Sequence, residues 1–433
     1  MRLIEARTGR VSRRWVPLVV ATLALLAALA SLTTASAQVD VRASNATSDF
    51  PNGVSFTLDA SVPGGADEVR LIYQILPDGV RATAVPDCTG ATAIGCNYQL
   101  ASNQQNFLIP GAEIEYFWRI TTGDQTEETD AQRVAYEDDR FDWQTIADGN
   151  LTLWYYDAGD DEAQRILAAG RESLDRNSAL LQTTVDFPVK IFYYASAEEM
   201  QPAIISSGAE GVVTLGEVVY SDTAMVSADF APEEITRHEI AHVVVRQAVR
   251  EPYDVPAWLN EGTAVFAQSE PSREQRGAVE NAIASGDVLS VRSLSSLSNV
   301  ALANRVSLFY GESWSLVSFL VETYGEEQFA QLFAAYAGGA TTADALDQVY
   351  GFNQDGLENA WRASVGLPPR AAPTPDEAQV ETPAVTTPEG TAASGSDGDD
   401  GAPIALLAGI GVLTILLAGA LLATGVLLAR RYR

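Results

Sequence analysis

The chain has 433 residues, 47% hydrophobic and 19% charged, which is a globular composition with room for two ordinary domains plus tails. Its formal net charge is −30. A nucleic-acid binder needs a basic face to displace counterions from phosphate, so this balance argues against nucleic acid as a partner and otherwise names none.

The first segment reads as an export signal. Arg2, Arg7, Arg10, Arg13 and Arg14 precede an uncharged apolar run over 16–32, and Ala35-Ser36-Ala37 is a small-residue cleavage pattern. A signal peptide over 1–37 is expected, with an uncleaved anchor as the alternative. Residues 38–137 then alternate apolar and polar positions, as in Val54-Ser55-Phe56-Thr57-Leu58 and Val69-Arg70-Leu71-Ile72-Tyr73. Turn residues such as Pro63-Gly64-Gly65 and Pro77-Asp78-Gly79 separate the runs, the pattern of a small antiparallel β-sandwich. Cys88 and Cys96 are the two cysteines of the chain. In an oxidising compartment they are expected to form a disulfide, the alternative being two buried thiols. Asn45-Ala46-Thr47 and Asn150-Leu151-Thr152 match a glycosylation pattern whose use depends on the host.

The acidic run Glu137-Asp138-Asp139 marks the expected boundary to a second domain over 138–367. There the pattern mixes types: strands over 151–156 and 189–194, a helix over 162–182, a strand over 218–226, a helix over 232–249 with proline in its first turn, and mostly helix from 258 onward. Residues 368–402 are rich in Pro, Thr, Ala, Gly and acid, and are expected to form a disordered stalk. Residues 403–429 carry no charge and are long enough to cross a bilayer as a helix. Arg430, Arg431 and Arg433 follow in a short tail at 430–433. Basic residues stay on the cytoplasmic side, so the chain is expected to be a single-pass cell-membrane protein with its N-terminal ectodomain outside.

The chemistry lies in His238-Glu239-Ile240-Ala241-His242. On a helix, positions i and i+4 share one face, so both imidazoles can reach one zinc ion. Glu239 projects beside them, placed to take a proton from water at the metal. These are the only two histidines in the protein. A catalytic zinc needs a third protein ligand and one open position. No further imidazole exists, so the third ligand must be a carboxylate or a thiolate, and the cysteines lie far upstream. Glu261, in Trp258-Leu259-Asn260-Glu261-Gly262-Thr263-Ala264, follows His242 after the 18 residues 243–260. That interval lets the first helix end, a loop turn near Pro252 and Pro256, and a second helix return. Ordinary surface histidines and a helix-start carboxylate are the plain alternatives.

This pattern, His-Glu-x-x-His followed after 18 residues by Glu, resembles the gluzincin metallopeptidases, and Trp-Leu-Asn-Glu-Gly-Thr-Ala resembles the peptidase MA-like group with its thermolysin-like domain. The resemblance implies a zinc-dependent peptidase with ligands His238, His242 and Glu261 and with Glu239 as general base. Its specific part is 235–268, within a looser likeness over 141–366. In similar enzymes a tyrosine on a later helix serves the tetrahedral oxyanion, and Tyr310 in Leu308-Phe309-Tyr310-Gly311-Glu312-Ser313-Trp314 stands in that place. Here glycine follows the tyrosine directly, a departure from the aminopeptidase register; a core tyrosine is the alternative. Related aminopeptidases also carry a Gly-x-Met-x-Asn strand that reads the free amine. Val218-Val219-Tyr220-Ser221-Asp222-Thr223-Ala224-Met225-Val226 lacks it, which favours an endopeptidase. Asp229, Glu234 and Asp254 are candidates, by nearness in sequence, to orient the histidines.

The expected fold is therefore α+β: a thermolysin-like zincin domain preceded by a small antiparallel β-sandwich and followed by a C-terminal transmembrane helix. The expected substrate is a peptide or protein. An inactive zinc-containing surface binding or adhesion protein is the alternative, and a metal-free surface receptor a further one.

Overall fold

The computed structural model describes residues 39–76, 79–103, 107–204, 212–220, 222–250, 254–296, 305–370 and 413–418. The signal peptide expected over 1–37, and the expected stalk beyond residue 370, lie outside the described residues.

Nine strands build the first unit: β1 (Asp40–Asp49), β2 (Gly53–Ser61), β3 (Glu68–Leu76), β4 (Ala82–Ala84), β5 (Asp87–Thr89), β6 (Ala93–Ala101), β7 (Ala112–Thr122), β8 (Gln125–Glu128) and β9 (Gln132–Tyr136). They form two antiparallel sheets, ordered β1-β2-β6-β5 and β4-β3-β7-β8, with β9 also on β7. Alternation drives this. In β7, Ala112, Ile114, Tyr116, Trp118 and Ile120 are buried while the residues between them are less so. A disulfide joins Cys88 to Cys96 across the β5–β6 pair.

A third, mixed sheet follows: β10 (Gln144–Asp148), β11 (Leu151–Tyr155), β12 (Val189–Tyr194), β13 (Val212–Tyr220) and β14 (Thr223–Ser227), in the order β10-β11-β12-β14-β13. The pairs β11–β12 and β12–β14 are parallel, and β13 returns antiparallel on β14. The single strand expected over 218–226 is thus two strands of a hairpin, because the chain turns at Asp222.

The helices are α1 (Asp160–Leu180), α2 (Ala197–Met200), α3 (Pro232–Val249), α4 (Ala257–Ala267), α5 (Arg273–Ser285), α6 (Val306–Tyr324), α7 (Glu326–Ala337), α8 (Thr342–Tyr350) and α9 (Gln354–Ser364). Helix α1 packs on α3, α3 lies against β14, and α4 packs between α3 and α6. A continuous core runs from Leu151, Ile191 and Val226 in the sheet through Ile240 and Val244 to Phe309, Leu320 and Trp361. Helix α3 is buried nearly all round, as expected of a helix with apolar residues on every face.

The opposite face of the third sheet joins the sandwich core. Phe192, Tyr194 and Met225 cluster with Phe50, Leu108 and Tyr136. The acidic run at 137–139 sits at this junction, where Glu137 and Asp139 are exposed but Asp138 is buried. Arg140 donates to Asp138 through Nε at 2.8 Å and Nη2 at 2.6 Å, and the Tyr194 hydroxyl donates at 3.1 Å. The Arg140 guanidinium also lies over the rings of Phe50 and Phe141.

The C-terminal transmembrane helix expected over 403–429 does not appear among the described residues. Within that run Leu413–Ala418 is a strand, β15, paired antiparallel with the outer edge of β13. No helix among the described residues is long and apolar enough to cross a membrane. The unpaired N–H and C=O row of an edge strand offers backbone partners along one side, and β15 takes that pairing here. The rest of 403–429 lies outside the described residues.

Candidate metal centre

Strand β14 leads through Asp229 and Phe230 into α3. Ala231 adopts φ 41°, Pro232 occupies the first turn, and Glu233 and Glu234 lie where the helix dipole favours acid. One and a half turns later His238 and His242 stack on the inner face, their ring centroids 4.8 Å apart and nearly perpendicular. Helix α4 begins after Pro256 and turns Glu261 toward the same point. Its neighbour Gly262 permits this approach: a Cβ there would lie 2.3 Å from the carbonyl oxygen of Ser313 on α6, so α4 and α6 meet backbone to backbone.

Glu261 Oε2 lies 3.4 Å from His238 Nε2 and 3.6 Å from His242 Nε2. Among the described residues, His238, His242 and Glu261 are the one group whose ligand atoms converge in this way, all within 4.8 Å. All three residues are 1% exposed, and Glu239 is fully buried. Neither carboxylate oxygen of Glu261 and neither Nε2 atom has a hydrogen-bond partner. Such burial without partners is costly unless something occupies the space between them. Two ligand atoms 2.0–2.2 Å from one tetrahedral ion are about 3.3–3.6 Å apart, so the spacing suits zinc and is long for direct hydrogen bonds. The donor set therefore fits the expected metal.

Burial shifts both Glu261 and His242 toward their neutral forms. Burial pushes the Glu261 carboxyl above its ordinary value, and the adjacent His238 opposes that rise. His242 falls well below the usual imidazole range, through burial first and the neighbouring His238 second. A neutral imidazole is the form that ligates metal.

Asn260 is the orienting residue that sequence reasoning missed. Its Oδ1 lies 2.9 Å from His242 Nδ1. That contact leaves Nε2 of the ring facing Glu261. The signal was present, since Asn260 directly precedes Glu261 in a run that reads as helix, but its partner depends on how that helix docks against α3. The three carboxylates considered for this role bond elsewhere. Asp229 accepts from the Ala197 N–H at 2.7 Å, Asp254 from the Val255 N–H at 2.8 Å, and Glu234 from Arg237 at 2.8 Å and the Ser269 N–H at 2.7 Å. Tyr310 on α6 is buried with its ring centroid 6.2 Å from that of His238, so α6 brings it to the centre.

A family model described as Peptidase MA superfamily matches residues 169–366, the segment that holds all of these side chains. Residues 169–366 carry a peptidase MA-like domain. A peptidase MA-like domain with a buried His-His-Glu cluster is a metallopeptidase domain. Among solved structures, the chain is similar to an aminopeptidase N family protein from Idiomarina loihiensis, at 10% identity over 79% of this chain and 77% of that one. The TM-score is 0.34, so this likeness bears on neither reaction nor substrate. No curated protein matches the chain.

Proposed function

We propose that the peptidase MA-like domain is a zinc-dependent endopeptidase that hydrolyses peptide bonds of peptide or protein substrates outside the cytoplasmic membrane. The observation that carries this reading is the convergence of His238, His242 and Glu261, with unpartnered ligand atoms at zinc-like spacing. Zinc held by these three residues would supply a Lewis acid that acidifies water toward a pKa of about 7 and polarises a carbonyl.

The chain's own groups do the rest. Asn260 Oδ1, as an acceptor, favours the His242 tautomer with its proton on Nδ1. Glu239 takes the proton of the attacking water on a carboxylate oxygen and returns it to the leaving amine. The Tyr310 hydroxyl donates to the oxyanion that develops from the substrate carbonyl. The burial of all these groups strengthens each electrostatic contact.

The endopeptidase reading is supported by the lack of a Gly-x-Met-x-Asn amine-reading strand before α3. The extracytoplasmic setting is supported by the charge pattern at both ends and by the uncharged run over 403–429. Pairing of 413–418 with β13 and a bilayer span are exclusive states of one segment. Fractionation of cells making the full chain should leave it in the membrane pellet after alkaline wash, and recovery in the soluble fraction would contradict the anchored reading.

The mechanism is tested by Glu239→Gln. This variant should retain zinc yet lose about 10²-fold or more of its activity on casein, the scale of a positioned general base. Hydrolysis at the parent rate would overturn the assignment.

A further inference from the structure

Tyr310-Gly311-Glu312-Ser313 puts four consecutive residues of α6 round the full circumference of the helix, and each meets a different part of the domain. Tyr310 turns toward His238. Gly311 faces α5, where a Cβ would lie 2.4 Å from the carbonyl oxygen of Gln275. The Ser313 carbonyl meets Gly262 of α4, the residue after Glu261. Glu312 is a fully buried carboxylate outside the His238, His242 and Glu261 cluster, and the proposed reaction has no use for it.

Both oxygens of Glu312 accept from the Leu289 N–H, at 3.1 and 3.0 Å. Leu289 belongs to the 287–291 segment that follows α5. The same segment is held at three further points. Arg305 donates to the Asp287 carbonyl at 2.6 Å, Arg370 to the Val288 carbonyl at 2.9 Å, and the Val291 N–H donates to Glu358 of α9 at 3.2 Å. Glu358 is itself buried and paired with Arg370. The charged groups acting on Glu312 are Arg305 at the start of α6, Arg370 after α9, and Glu358 on α9. A buried charge-bearing group persists only where its partners are fixed, and here the partner is backbone that cannot rotate away.

We propose that Glu312 is a positioning residue for the reaction: by clamping the 287–291 segment to α6 it sets the rotation of that helix and thereby aims Tyr310 at the metal centre. Gly311 and Gly262 allow α6 to approach α5 and α4 closely, but glycine contacts give little resistance to rotation about the helix axis. The Glu312 clamp supplies that resistance through the 287–291 segment. Misplacement of a reacting group by about 1 Å can lower a rate by roughly 10²-fold, so a clamp two residues from Tyr310 has kinetic weight. This inference rests on the peptidase reading above and adds to it a residue that acts only through Tyr310.

The test is a double-mutant cycle in the full chain, reading zinc content, kcat and KM on fluorescently labelled casein. Glu312→Ala should lower kcat by about tenfold or more, with KM within about threefold and zinc per chain unchanged. Glu312→Gln keeps an acceptor for the Leu289 N–H and should stay within about threefold of the parent. In a Tyr310→Phe background, Glu312→Ala should lower kcat by less than about threefold further, because the group it positions is already gone. Additive losses in the double variant, a Gln variant as impaired as the Ala variant, or a Tyr310→Phe variant as fast as the parent would each overturn the proposal. A zinc-loaded parent with no activity would instead remove the peptidase reading itself, and this positioning role with it.

Discussion

Three side chains define the centre, and their geometry is set by distances a hydrogen bond would not choose. Oxygen-to-nitrogen separations of 3.4 and 3.6 Å, with the atoms otherwise unpartnered, suit the ligands of one zinc-sized ion. The two histidines could be named from spacing alone, because the i, i+4 relation is local, whereas Glu261 was reached by eliminating other donors and by the resemblance of its motif. Asn260 could not, because its role depends on where α4 docks against α3. Glu312 makes a second residue-scale point. Burial raises its carboxyl to about 8, with the Leu289 N–H opposing that rise. An unfolded glutamate ionises near 4.5, so between those values the unfolded chain has released a proton that the folded chain retains. The contribution of Glu312 to stability is thus fully present below pH 4.5 and is lost as pH rises through about 8. Thermal unfolding of parent and Glu312→Gln at fixed zinc should show equal Tm at acid pH and a higher Tm for the variant at pH above 8. A parent that gains on the variant as pH rises would contradict the burial argument.

Helices α3, α4 and α6 form the working element, and their contacts explain which parts of the sequence were legible. Helix α3 was readable from its proline start and its apolar run, and α4 from the motif it carries. The β13–β14 hairpin was read as one strand, since Val218 to Val226 is apolar at both ends and only the three polar residues Ser221, Asp222 and Thr223 interrupt it. Strand β10 gave no sequence signal, being mostly polar, and it exists because its backbone pairs with β11. The α4–α6 contact makes a direct demand on one residue. A methyl group at position 262 would lie 2.3 Å from the Ser313 carbonyl oxygen, within the backbone of a packed helix. Gly262→Ala should therefore cost about 1–3 kcal/mol and loosen zinc binding, because relief requires α4 to shift and Glu261 moves with it. Chemical denaturation of the two proteins with and without zinc measures both effects, and an unchanged variant would show that the helices are not in contact there.

At the scale of the whole molecule, the sandwich and the peptidase MA-like domain share a core. From sequence, Glu137-Asp138-Asp139 reads as a solvated boundary, because a run of three acids has no local reason to be buried. The structure places Asp138 inside the junction, where Arg140 and Tyr194 satisfy it. That partnership is long-range and invisible in a window of a few residues. The sandwich covers Phe192, Tyr194 and Met225 on the far side of the third sheet from α3. Deleting residues 39–137 should expose this face and yield protein that aggregates on expression, whereas a soluble, zinc-binding remainder of 138–370 would show that the junction is dispensable.

The proposed reaction depends on one ion held between α3 and α4. The most direct measurement is zinc per chain, by elemental analysis after dialysis, for the parent, His238→Ala and Glu261→Ala. One zinc per chain in the parent and a loss of about tenfold or more in affinity in each variant is the expected result. A folded parent with no stoichiometric zinc, or variants that bind it as well as the parent, would contradict the metal centre and the reaction built on it.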